Sequence, residues 1–195
     1  MQIKIVHGEA VTPHIADLAR LRIEVFRAFP YLYEGSEDYE ASYLATYARS
    51  PESLFVLAFD GARIVGASTG VPMTDAAEEF RAPFVAAEID PAKVFYFGES
   101  VLLSSYRGRG LGVRFFEERE AYARRLGRFD WCAFCAVERP KDHPLRPADY
   151  VPLNEFWGRR GYVHRADLAT TLAWQDIGEA EESGKPMSFW LKAAG

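Results

Sequence analysis

Cysteine is scarce: Cys132 and Cys135 are the only two in 195 residues, too few for a disulfide framework. Three residues apart on one strand, they would sit about 10 Å from each other on opposite faces, beyond disulfide reach. No second Cys/His pair accompanies them, so no metal is expected, and two small apolar residues in a strand is the simpler account. Long apolar runs are also missing. Nothing approaches the roughly 18 uncharged residues of a membrane span, and Met1 to His7 lacks the apolar stretch of a signal peptide. A cytoplasmic protein with no membrane partner is expected. Repeats, low-complexity tracts and linkers are absent, so a single domain over residues 1–195 is expected. Excess positive charge is absent too: 23 Lys and Arg face 28 Asp and Glu, a net −5. That disfavours sequence-blind nucleic-acid binding. Arg114, Arg119, Arg124 and Arg125 are interleaved with Glu117, Glu118 and Glu120, the pattern of a solvated helix face.

Aromatic residues are abundant, with 14 Phe, 10 Tyr and 4 Trp, enough apolar surface to offset the entropy of ordering the chain. Ile3, Ile5 and His7 alternate as in a first strand. Thr12-Pro13 has the form of an N-cap followed by proline, and Ile15, Leu18, Leu21, Val25 and Phe29 continue at helical spacing until Pro30. Ser36 caps a second helix carrying Tyr39, Tyr43 and Tyr47 on one face. Leu54–Phe59 and Ile64–Ser68 flank Asp60-Gly61, a hairpin signal. A short helix falls between Ala76 and Ala87, and Val94–Leu103 reads as one strand. Leu111, Phe115, Tyr122 and Leu126 make an amphipathic helix ending at Gly127. Phe129–Val137 is a strand, Glu138–Tyr150 a proline-stiffened loop, Leu153–Arg160 a short helix, and Ala169–Gln175 with Met187–Lys192 a last pair of strands. Hairpins mixed with one β-α-β crossover define a mixed α/β class.

The chemistry concentrates at Arg107-Gly108-Arg109-Gly110-Leu111-Gly112, between a strand and a helix. The glycines allow a sharp turn and close ligand approach. The helix start offers unpaired N–H groups and a positive dipole end, together a cradle for pyrophosphate. A dinucleotide fingerprint would need glycine at Val113, and a P-loop needs Gly-Lys-Ser/Thr, so neither motif applies.

Arg-x-x-Gly-x-Gly at 107–112 resembles the acetyl-CoA loop of the GNAT N-acetyltransferases. The element order follows that superfamily along nearly the whole chain, and Phe156-Trp157-Gly158-Arg159-Arg160-Gly161-Tyr162 resembles its late helix. The resemblance implies a central, mostly antiparallel twisted sheet splayed between its fourth and fifth strands and flanked by helices. It implies that backbone groups of Val101, Leu102 and Leu103 bind the pantetheine arm of acetyl-CoA. Gly108 to Gly112, including Arg109, Gly110 and Leu111, would hold the pyrophosphate with Arg107. A small-molecule amine would attack the thioester directly, with the Leu102 amide facing the developing oxyanion. Glu99, just before the splay, is the candidate base; a structural Glu bonded to a backbone amide or Arg is the alternative. Trp157, which the resemblance places among the cofactor-binding residues, stands where the family usually has a tyrosine and has no acid pKa to offer. Tyr150, in the loop before it, is the candidate acid; Tyr162, or departure of an unprotonated thiolate, are the alternatives.

For the acceptor, Tyr31, Tyr33 and Glu34 offer an aromatic, acidic surface suited to a cationic amine. His143 and Arg146, in the long loop, offer a second base and a carboxylate clamp. The two sets suit opposite acceptor charges. A peptide amine and a non-catalytic acyl-CoA-binding module are the competing functions. The last hairpin, with Trp174, Phe189 and Trp190, buries either against the sheet or against a second subunit, which leaves a homodimer as one arrangement.

Overall fold

The computed structural model describes all 195 residues. Eight strands and five α-helices follow one another along the chain: β1 (Gln2–His7), α1 (Ile15–Phe26), α2 (Glu37–Ala48), β2 (Leu54–Asp60), β3 (Arg63–Pro72), α3 (Glu78–Ala86), β4 (Val94–Tyr96), β5 (Ser100–Leu102), α4 (Leu111–Leu126), β6 (Trp131–Val137), α5 (Asn154–Gly158), β7 (Val163–Trp174) and β8 (Ser183–Ala193). They form one sheet in the order β1-β2-β3-β4-β6-β8-β7, with β5 on β3. Every pairing is antiparallel except β4 with β6, which α4 connects. This is the mixed, mostly antiparallel fold expected. No helix is long and apolar enough to cross a membrane.

Helix α4 shows how pattern becomes packing. Leu111, Phe115, Phe116, Arg119, Tyr122 and Ala123 are its buried residues, a stripe at helical spacing that packs on β2, β3 and β5. Gly127, left-handed at φ 69°, ends it and donates to the Ala123 carbonyl. Arg119 departs from the solvated face expected of it: it is 1% exposed. Its neighbours behave as expected, Arg114 pairing with Glu118 at 2.5 Å. On the opposite side, α1 packs on β3 and β5 and carries α2. Ser36 caps α2, its side chain accepting from the Tyr39 N–H. Thr12 does not cap α1. Its hydroxyl donates to the Glu9 carbonyl within a 3-10 turn over Gly8–His14, and α1 starts only at Ile15.

The expected strand Val94–Leu103 is broken. β4 pairs with β6 from Val94↔Trp131 to Tyr96↔Ala133, and the Phe97 N–H donates to Ala133 at 2.8 Å. The chain then leaves β6. Gly98 donates to Thr69, Thr69 donates to Glu99, and Ser100–Leu102 pairs with β3 alone. β6 continues to Val137, so a wedge opens between β5 and β6. This is the expected splay, produced by a kink at Phe97–Glu99. Trp174, Phe189 and Trp190 are buried within the chain itself, so the last hairpin closes on its own sheet.

Candidate active site

β5 presents an open backbone edge to the wedge. The Leu103 N–H donates to Val65 and the Glu99 carbonyl accepts from Thr69. Val101, opposite Ala67 and midway between them, follows the same alternation. The groups of Ser100 and Leu102 therefore point the other way, into the wedge. Of the three residues expected to offer backbone groups to a pantetheine arm, Leu102 alone is oriented for it; those of Val101 and Leu103 face β3.

At the wedge's lower end lies the glycine loop. Gly108 and Gly110 hold φ of 75° and 81°, and a Cβ at either would meet nothing within 4 Å. Backbone conformation, not crowding, demands glycine there, and the space in front is open. No side chain caps α4, so Leu111 and Gly112 begin the helix with amides free for an anion. Arg107 is exposed and makes no ion pair. Arg109 is turned back: it donates to the Ser105 carbonyl at 3.0 Å and lies over Tyr106. The loop, the uncapped helix and Arg107 thus fit a pyrophosphate. A cavity of about 660 Å³ lies between α4, α5 and β8, lined in part by Phe116, Phe156, Arg160 and Lys192. It shares no residue with the carboxylate cluster described next.

At the kink, Glu99 is 8% exposed. Its Oε2 lies 2.7 Å from Arg22 Nη1, a buried ion pair. Arg22 Nε donates to Glu40, which is also buried. The guanidinium lies 4.5 Å from the Tyr43 ring centre and 5.1 Å from that of Phe26. Burial works against its charge, but Glu99, Tyr43 and Glu40 more than offset this and hold it above the ordinary arginine range. The Tyr43 hydroxyl donates to that of Tyr47 at 2.9 Å. Burial raises both phenols, with Glu99 adding to the effect. Behind the kink, Arg119 donates to the Glu99 carbonyl at 3.2 Å and to Ser100 Oγ at 2.8 Å. Burial lowers it to about 10, so it stays cationic at neutral pH.

The segment after α1 closes the other side. Tyr31 packs on Phe26, 4.5 Å between ring centres, and burial, then Cys135, raise its phenol. Arg139 pins this segment, donating to the carbonyls of Pro30 and Tyr31 at 2.7 and 2.8 Å while pairing with Asp176 at 2.8 Å. Tyr33 is half-buried, its phenol raised by burial and by nearby Glu40. Glu34 is directed elsewhere: it is exposed and paired with Arg27 at 3.0 Å. The long loop gathers on Phe29, whose ring centre is 5.6 Å from His143 and 4.6 Å from Tyr150. Arg146 lies 4.9 Å over the Tyr150 ring and has no carboxylate partner. Burial raises the Tyr150 phenol against the influence of Arg146. Trp157 packs edge-on against Phe134 and Trp190, each 5.1 Å away.

Arg22, Glu40, Tyr43, Tyr47, Arg119 and Arg139 were not singled out by sequence as site residues. The signal available was a charge on an apolar stripe: Arg22 adjoins Leu21 and follows Leu18 by four, and Arg119 follows Phe115 and Phe116.

A sheet wedge with a free strand edge, an uncapped helix behind left-handed glycines and a buried carboxylate at the kink defines an acyl-CoA-dependent transferase. The sequence model of the Acetyltransferase (GNAT) family matches residues 18–146, and the chain belongs to that family. It is an acetyltransferase, and acetyl-CoA is the family's acetyl donor. Solved structures share the fold. A provisionally assigned acetyltransferase from Acinetobacter baylyi ADP1 superposes with a TM-score of 0.64 at 14% identity, covering 98% of this chain and 92% of that one. The ribosomal-protein-alanine N-acetyltransferase of Brucella melitensis gives 0.59 at 15%, covering 97% and 99%. The Salmonella typhimurium protein yncA, solved with acetyl-CoA, gives 0.59 at 10%, covering 99% and 94%. No curated protein matches in sequence.

Proposed function

We propose that this chain transfers the acetyl group of acetyl-CoA to the primary amine of a small, amino-acid-like acceptor by direct attack in a ternary complex. The observation that carries this reading is Glu99, a carboxylate buried at the kink where β5 leaves β6 and ion-paired there with Arg22 at 2.7 Å. Acetyl-CoA brings the thioester; the chain supplies position and charge. Gly108–Gly112 and Arg107 hold the pyrophosphate, and the Leu102 N–H faces the carbonyl oxygen on which charge develops. Glu99 takes the ammonium proton, directly or through water. The Tyr150 phenol, protonated at neutral pH, is the candidate donor to the departing thiolate. Tyr31 and Tyr33 wall the acceptor side. Arg146, stacked on aromatic rings and free of carboxylates, favours an acceptor that carries its own carboxylate; His143 stands beside it.

The test is free-thiol release from acetyl-CoA across primary amines, amino acids and short peptides, with the product identified by mass spectrometry. Turnover with amino-acid-like amines is expected, with N-acetyl products. Thiol release only with peptides would move the reading to a peptide amine. Binding of acetyl-CoA with no release across the panel would favour a non-catalytic module.

A further inference from the structure

One aromatic ring gathers a whole loop. The hydrogen bonds of Pro140–Val151, between β6 and α5, are all internal: His143 donates to Pro140, Arg146 to His143 and Tyr150 to Pro147 along the backbone, and the Leu145 N–H donates to His143 Nδ1. Its charged side chains make no ion pair. Only His143, Arg146 and Tyr150 are half-buried in this otherwise exposed stretch, and all three meet Phe29. Tyr150 stands edge-on to that ring at 4.6 Å, His143 is tilted at 5.6 Å, and the Arg146 guanidinium lies 5.8 Å from its centre. Phe29 itself is on the fixed side. Arg139 holds the Pro30 and Tyr31 carbonyls beyond it, and the Ala28 carbonyl before it accepts from Tyr31 and Leu32 at 3.1 and 3.2 Å. We propose that Phe29 is a positioning residue: its ring orders Pro140–Val151 against the acceptor side and so presents Tyr150 and Arg146 to the acceptor. The proposal rests on those two as acceptor-side residues.

The loop is placed to matter for the acceptor. It leaves the end of β6, the strand that bounds the wedge, and the Tyr31 phenol lies within electrostatic reach of both Tyr150 and Glu99. Pro140, Pro144 and Pro147, with the internal turns, stiffen the segment, so it moves as one piece. What docks that piece is an edge-on aromatic contact and a cation–π contact on a single ring, each modest in energy. Together they favour the docked loop by roughly ten- to a hundredfold, enough to order it and weak enough to let an acceptor enter. Arg146 also lies 4.9 Å over Tyr150, so the cation and the phenol are held as a pair by the same ring. An aliphatic side chain at position 29 fills the space but offers neither a ring edge nor a π face.

Trypsin reads the loop without any ligand. Arg139 and Arg146 each precede a proline, so Lys141–Asp142 is the bond of this segment that the protease cuts. Phe29→Leu keeps apolar bulk and removes the ring; Phe29→Tyr keeps the ring. Cleavage after Lys141, followed by mass spectrometry, should be about tenfold faster in Phe29→Leu and near the native rate in Phe29→Tyr. Cleavage after Arg107 and Arg109, in the exposed glycine loop, is the internal control and should stay constant. Equal cleavage after Lys141 in all three proteins would overturn the ordering role. So would faster cleavage at every site, the mark of general loosening. Kinetics test the acceptor part: in Phe29→Leu the KM for the amine found by thiol release should rise about fivefold, with the KM for acetyl-CoA constant and Phe29→Tyr near native. A loosened loop with both KM values unchanged would overturn that part. Tyr150→Phe tests the underlying reading separately, since full turnover there would remove Tyr150 as the proton donor and leave the trypsin result standing.

Discussion

Arg119 donates to the main-chain carbonyl of Glu99 across 3.2 Å, from a helix on the far side of the sheet. It also donates to Ser100 Oγ and lies over the rings of Phe97 and Phe116, 4.2 and 4.9 Å from their centres. A buried cation with no carboxylate partner thus braces the residues at which the sheet divides. Arg119→Met should cost little stability, about 1–2 kcal/mol, because the Thr69 and Glu99 carbonyls it leaves still accept from the Gly98 and Thr69 N–H groups. Turnover should fall at least about tenfold, since a small displacement of Glu99 and Leu102 misaligns both reactants. Thermal unfolding alongside steady-state kinetics checks the separation. Parallel losses of stability and turnover would reduce Arg119 to a packing role.

The glycine loop predicts a cosubstrate effect. Gly108→Val forces a side chain into left-handed backbone at a cost of about 1–2 kcal/mol, in a position with no packing to lose. The KM for acetyl-CoA should rise about five- to thirtyfold, with the amine KM nearly constant. Initial-rate kinetics with each substrate varied in turn separates the two constants.

Arg139 predicts an acceptor-side effect. Arg139→Met leaves Asp176 with Lys185 at 3.5 Å as its remaining cation, so the loss should lie at the low end for a broken buried pair, about 3 kcal/mol. The freed Pro30 and Tyr31 carbonyls loosen the wall that Tyr31 forms. Denaturant unfolding should show the stability loss, and the amine KM should rise while that for acetyl-CoA holds.

The cysteines make a pH prediction. Burial pushes both thiols up to about 12, so the protonated form persists well above neutral pH and the thiolate appears only as pH approaches that value. Buried Cys132 should not react with iodoacetamide in the native protein, half-buried Cys135 should react slowly, and both should react in denaturant. Rapid labelling of Cys132 in the folded protein at pH 8 would contradict its burial.

Local signals in the sequence carried most of the architecture. Ser36, Gly127 and the stripe of α4 mark helix ends and faces by chemistry acting within a few residues. Val94–Leu103 did not reveal its break, because a uniformly apolar run has no alternation to interrupt; the kink depends on Thr69, Arg119 and the close approach of Tyr47 to Gly98. Thr12 misled because its hydroxyl found the Glu9 carbonyl before any helical amide. The glycine loop was legible as one contiguous segment. Its acceptor counterpart was not, since Arg22, Glu40 and Glu99 meet from three separate elements. Glu34, adjacent to Tyr33 in sequence, turned to Arg27 instead.

The most direct test of the wedge as the cosubstrate site is calorimetric titration of the protein with acetyl-CoA, repeated with Gly108→Val. Saturable binding at one site per chain, weakened in the variant, is the result predicted. Absence of binding at millimolar acetyl-CoA, or equal affinity in the variant, would contradict the assignment of the glycine loop and the β5–β6 wedge.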